Sequence, residues 1–211
     1  MVKFLSFIFF IFIIICLTLS IVIFIVYRCL KWHIPKNSLL DKYILLTMTS
    51  LKPDFLSANE KYAETFKDGD LLAPPSKKIA VLSCMDARIS INDILGLKLG
   101  DAHVIRNAGG IATDDAIRSL IISHELLGTE EFIVINHTDC GMLKFKDEEL
   151  QKKISEKFNI NASSLKFYCF PNLEENVREQ IKKIKLSPFF PNVPIHGYIY
   201  NVKTGKLNNV V

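Results

Sequence analysis

The sequence predicts an α/β domain, a central, mostly parallel β-sheet flanked by helices, preceded by an N-terminal transmembrane helix. Three observations predict it. Short apolar runs alternate with helix-like stretches between residues 78 and 140, the rhythm of strand–helix–strand units. Runs such as Ile79-Ala80-Val81-Leu82 and Phe132-Ile133-Val134-Ile135 are continuously apolar, as buried strands are. The first residues differ in kind: Phe4 to Tyr27 carries no charge and is almost entirely Phe, Ile, Leu and Val.

As a helix, that first run would span roughly 36 Å, enough to cross a bilayer with some tilt. A cleaved signal has a shorter apolar stretch ending at small residues. Tyr27-Arg28-Cys29-Leu30-Lys31-Trp32 offers no such site. Residues 1–34 are therefore read as a membrane anchor, 35–53 as a linker and 54–211 as the folded domain. Lys3 and the amino terminus flank one side of the run; Arg28, Lys31 and Lys36 flank the other. That bias leans towards a domain on the cytoplasmic side, and Trp32 suits the interface.

Charge and cysteine content exclude several classes. The net charge is +4, but Lys3, Arg28 and Lys31 are opposed by no acid in residues 1–34, which leaves the rest near neutral. That is no nucleic-acid footprint. The lysine pairs at 152–153 and 182–183 lie among glutamates, as solvated helix faces do. Five cysteines in a chain of this length are no disulfide framework. Cys16 falls in the apolar run, Cys29 beside it, and Cys169 reads as a small buried hydrophobe.

Along the domain, Phe55, Tyr62 and Phe66 recur at helical spacing, and Pro74-Pro75 stops any helix. Ile79–Leu82 is the first strand. Ile91–Leu97 is a short helix closed near Gly100, and Ala102–Ile105 is the second strand. Thr113 caps a helix with Asp114 and Asp115 in its first turn; it runs through Leu127 to a stop at Gly128. Phe132–Ile135 is the third strand. Residues 144–167 read as surface helix. Asn172 caps a further helix to about Leu186. Tyr198–Val202 and Leu207–Val211 flank Lys203-Thr204-Gly205-Lys206 as a closing hairpin. In parallel sheets, sites form beyond the carboxyl ends of strands.

Cys84 follows the first strand, and His137 and Cys140 follow the third. Two thiolates and an imidazole are a zinc ligand set, and three protein ligands with a fourth position left to water mark a catalytic site. Asp86 and Arg88, in Cys84-Met85-Asp86-Ala87-Arg88, add a carboxylate and a guanidinium beside it. His103, in a strand, and His124, among apolar helix residues, read as structural. Asp139 reads as a turn residue, with contact to the ligands' surroundings as the alternative.

These motifs resemble those of β-class carbonic anhydrases of the compact prokaryotic-style branch, over about residues 54–211. The likeness rests on Cys84–Arg88, Gly100–Gly110, Glu131–Met142 and His196–Leu207. Where plant-type members carry a glutamine, this chain has Pro75. The resemblance implies one Zn2+ per subunit on Cys84, His137 and Cys140, and reversible hydration of carbon dioxide to bicarbonate by zinc-bound hydroxide. It implies that Asp86 accepts a hydrogen bond from that hydroxide, and that Arg88 pairs with Asp86 and keeps it ionised. It implies a homodimer or higher homo-oligomer, with the Phe55–Phe66 helix reaching over the partner. Asn107-Ala108-Gly109-Gly110 would lie near the cleft.

Three rival readings remain at this level. A carbonyl sulfide or carbon disulfide hydrolase would use the same scaffold and metal. A cysteine-nucleophile phosphatase needs Cys-x5-Arg, and here three residues separate Cys84 from Arg88. A membrane-tethered structural zinc domain needs a fourth ligand, and Cys169 carries no paired motif.

Overall fold

The computed structural model describes residues 52–211, with backbone alone for Lys52 and Pro53. The anticipated anchor, residues 1–34, and most of the linker lie outside the described residues. Among the described residues no helix is long and apolar enough to cross a membrane. The chain divides after Phe66 into two units. In the first, α1 (Lys52–Thr65) carries exposed Phe55, Leu56 and Tyr62. The rings of Tyr62 and Phe66 stand 5.5 Å apart.

The second unit, Lys67–Val211, holds a five-stranded sheet in the order β2-β1-β3-β4-β5. β1 (Ile79–Cys84), β2 (Ala102–Asn107), β3 (Glu131–His137) and β4 (Ile195–Tyr200) are parallel, and β5 (Leu207–Asn209) closes antiparallel on β4. The α/β architecture is thus as the apolar runs imply. Successive strand side chains serve opposite faces. Ala80, Leu82, Phe132 and Val134 pack with α3 (Asp114–Glu125) and α5 (Leu173–Lys185). Val81 and Ile135 pack on the other face with Ile91 of α2 (Ile91–Leu95) and with Met142 and Phe170.

Capping places most helices where the sequence puts them. Thr113 Oγ1 accepts from Ala116 N–H, and Asn172 Oδ1 accepts from the N–H groups of Glu174 and Glu175. Several boundaries differ by a few residues, and three of the differences have a visible cause. α2 ends at left-handed Gly96, ahead of Gly100. The surface helix over 144–167 shrinks to α4 (Asp147–Phe158), ended by left-handed Asn159. The Asp147 carboxylate accepts from the N–H groups of Phe167, Tyr168 and Cys169, which satisfies the returning backbone without helix. Finally, β4 begins at Ile195, ahead of Tyr198. His196-Gly197 is weak strand sequence, but a Cβ at Gly197 would lie 2.5 Å from Ile181 Cδ1 and 2.7 Å from Val177 Cγ1. Glycine there lets α5 lie directly on the strand.

Candidate metal centre

Strand register delivers the site. Cys84 ends β1 opposite Asn107, the last residue of β2. His137 ends β3, and Cys140 follows three residues later. Asp139 between them adopts a left-handed φ of 55°, which folds Cys140 back towards His137. All three candidate ligands are buried, and their Sγ and ring-nitrogen atoms lie within 4.8 Å of one another. Zn–S and Zn–N bonds of about 2.0–2.3 Å fit between donors so placed.

The imidazole supplies the test of fit. His137 Nδ1 lies 2.9 Å from the Thr138 carbonyl. A carbonyl only accepts, so Nδ1 carries the proton and Nε2 presents a lone pair. Nε2 is buried and has no hydrogen-bond partner. A buried polar atom left so is costly unless something claims it, and a cation beside two sulfurs would.

The charges agree. The Cys84 thiol is held well below the usual range, first by a hydrogen bond from Cys140 and then, against burial, by His137. The same bond pushes Cys140 up. Without a cation the two sulfurs do not both ionise; a dication would relieve that. Burial opposes charging of His137, but the neighbouring Cys84 outweighs it and raises its pKa. The backbone at Gly109 and Asp86 also favours the Cys84 thiolate, and that at Met142 works to lower Cys140.

Asp86 stands beside this group, with Oδ2 at 3.7 Å from His137 Nε2. Arg88 grips it as a fork: Nε donates to Oδ1 at 2.9 Å and Nη2 to Oδ2 at 2.8 Å, while the Arg88 backbone N–H adds a third bond at 2.9 Å. The guanidinium holds the Asp86 carboxyl well below the ordinary carboxylate range. Arg88 Nη1 also reaches Asp139 Oδ2 at 3.0 Å, and Lys144 Nζ reaches Asp139 Oδ1 at 2.7 Å. Lys144 and then Arg88 lower Asp139 to about 2. Asp139 is thus a turn residue and also the second anchor of Arg88, the kind of contact its place between the ligands had left open.

The five site residues named from sequence stand together here. Others were less legible, beyond the Asn107–Gly110 loop that the resemblance places near the cleft. Arg106 on β2 donates to the carbonyls of Cys84 and Asp86 at 3.0 and 2.7 Å. The Asn107 side chain closes the 107–111 loop, giving to Ile111 O at 2.7 Å and accepting from Ile111 N–H at 2.8 Å. The partners of Arg106 lie 22 and 20 positions away and have no fixed spacing to read. His103 and His124 are structural, as expected. They bond to Ser123 and Ala73 and to the Thr129 carbonyl. Cys169 stands apart from the centre, against Asp147.

Residues 79–207 match the family model described as carbonic anhydrase. "Beta-carbonic anhydrase 1" of Mycobacterium tuberculosis is 47% identical over 158 residues, 74% of this chain and 96% of that protein. A carbon disulfide hydrolase of Acidithiobacillus thiooxidans is 34% identical over 155 residues, 64% of this chain and 77% of that protein. Among solved structures, a carbonic anhydrase of Streptococcus mutans superposes with TM-score 0.74 at 40% identity, covering 77% of this chain and 99% of that one.

Proposed function

This chain belongs to the β-carbonic anhydrase family, and we propose that Cys84, His137 and Cys140 hold its zinc while Asp86 and Arg88 serve the reaction. The activity is zinc-dependent, reversible hydration of carbon dioxide to bicarbonate. The observation that carries the ligand assignment is the buried, unpartnered His137 Nε2 facing two cysteine sulfurs. When bound, zinc supplies the Lewis acidity that makes a water nucleophilic near neutral pH.

The chain's own groups do the rest. Asp86, kept ionised by Arg88, only accepts. A water beside the cluster therefore gives one O–H to Asp86 and turns a lone pair towards the substrate carbon. Oxygen adds to carbon, and the surplus proton leaves for solvent. The Arg88 fork occupies both Asp86 oxygens and so restrains the carboxylate from swinging onto the cluster. Asp86→Asn, whose amide nitrogen donates, should cut kcat by about 100-fold or more with the zinc complement intact. Stopped-flow hydration assays with metal analysis check this; unchanged turnover would remove the role.

Relatives that are carbon disulfide hydrolases, at 34–43% identity, favour one second reading: hydrolysis of carbon disulfide or carbonyl sulfide at the same centre. Parallel assays of carbon dioxide hydration and hydrogen sulfide release separate the two.

Two further features belong to this proposal. The apolar run Phe4–Tyr27 is read as a single-pass anchor with the catalytic domain on the cytoplasmic side. The exposed Phe55, Leu56, Tyr62 and Phe66 are read as the face that reaches a second copy of the chain, since such apolar groups are costly to leave in water. The full-length chain should fractionate with membranes, and light scattering in detergent should give a multiple of the chain mass. A soluble or monomeric chain would contradict the respective reading.

A further inference from the structure

A ring of side-chain amides runs behind the metal centre. The Ala112 N–H donates to Gln180 Oε1 at 2.9 Å, and Gln180 Nε2 donates to Asn176 Oδ1 at 2.8 Å. Asn176 Nδ2 donates to Asn136 Oδ1 at 2.7 Å, and Asn136 Nδ2 donates to the Gly109 carbonyl at 2.8 Å. The bonds leave the 109–112 loop at Ala112, pass through α5 and β3, and return to the same loop at Gly109. Asn136, Asn176 and Gln180 are 1%, 3% and 4% exposed, so water does not substitute for any of these partners.

Both ends of the ring are backbone, and they fix its sense. An N–H only gives and a C=O only takes. Three amides in series, each accepting through oxygen and donating through nitrogen, satisfy both ends together. Aligned bonds of this kind polarise one another. A helix-on-sheet contact needs only apolar filling, and a partly satisfied polar run there is worse than none. The amides therefore answer to something other than packing.

What they grip is Gly109. Its carbonyl is held by Asn136, and at the next residue, Gly110, a Cβ would lie 3.0 Å from the Cys84 backbone nitrogen, so the gripped loop lies directly against the Cys84 segment. Groups outside a ligand set that fix where a ligand's segment lies tune the site. Asn136 also immediately precedes His137 on β3, so one ring ties two ligand segments to α5.

We propose that Asn136, Asn176 and Gln180 are positioning residues of the metal centre, an amide relay anchored in α5 that holds the 109–112 loop against the Cys84 segment and thereby sets that sulfur as a ligand. This rests on the zinc reading above. The test is Asn176→Asp in the full-length chain. Aspartate keeps the shape and the acceptor for Gln180 but loses the donor to Asn136. With cobalt(II) in place of zinc, the sulfur-to-cobalt absorption band should shift in the variant. Zinc Kd, measured by chelator competition, should weaken about 10–100-fold. Gln180→Met, which breaks the ring at its most exposed amide, should give the same changes in smaller degree and serves if Asn176→Asp does not fold. A folded variant with lowered Tm, an unmoved band and unchanged zinc Kd would make the ring merely structural and overturn the proposal. A wild-type cobalt adduct with no sulfur band would instead remove the zinc reading itself.

Discussion

Cys84→Ser is expected to leave the protein folded, almost free of zinc and without activity. A serine hydroxyl does not ionise near neutral pH, so the site would lose one of its two anionic ligands, and thiolate is the form that binds metal. The surroundings that now favour the Cys84 thiolate would face an oxygen that carries no charge. Hydration should fall by at least about a thousandfold, because the nucleophile depends on the metal. The fold should persist, since Cys84 is the last residue of β1 and the sheet interior lies behind it. Cys169→Ser is the matched control. Cys169 is half-buried and burial raises its thiol pKa, so that variant should keep its zinc. Metal analysis of the two purified variants decides: a full zinc complement in Cys84→Ser would exclude it as a ligand.

The contrast between those cysteines also shows what is legible in a sequence. Cys84, His137 and Cys140 could be read because each follows a run of buried-strand residues, and parallel sheets gather strand ends at one edge. Asp86 and Arg88 could be read because they are local to Cys84. Capping residues Thr113 and Asn172 worked for the same reason, since a cap acts within three residues. What escaped was non-local. Nothing near Asn176 or Gln180 in sequence says that they meet Asn136 across the sheet–helix boundary. Asp139 was recognised by the turn it makes, while its bond to Arg88 spans 51 positions. The early start of β4 escaped because Gly197 is chosen for what α5 needs, not for strand propensity. The apolar amino-terminal run is plain in the sequence, and its placement is a matter for the membrane experiment above.

Gly110→Ala should damage the centre nearly as much as losing a ligand, though Gly110 touches no metal. Its φ is 62°, a left-handed conformation that costs an alanine about 1 kcal/mol or more. The larger effect is contact. A Cβ at this position would lie 2.8 Å from Asn136 Nδ2, 3.0 Å from the Cys84 backbone nitrogen and 3.0 Å from the Ser83 carbonyl carbon. Two of these are backbone atoms of the central strand β1, which is paired on both sides and has nowhere to retreat. The loop must therefore move instead, and it carries the Gly109 carbonyl that serves Asn136. Overpacking of this kind costs about 1–3 kcal/mol beyond the backbone strain. Gly205→Ala separates the two contributions, because Gly205 has a φ of 71° and open space around its Cβ position. Gly205→Ala should lower Tm by a few degrees with zinc and turnover unchanged. Gly110→Ala should lower Tm by clearly more and weaken zinc binding as well. Equal Tm losses in the two variants, with zinc Kd unmoved in both, would mean that the close fit of Gly110 against Cys84 and Asn136 does not govern the centre.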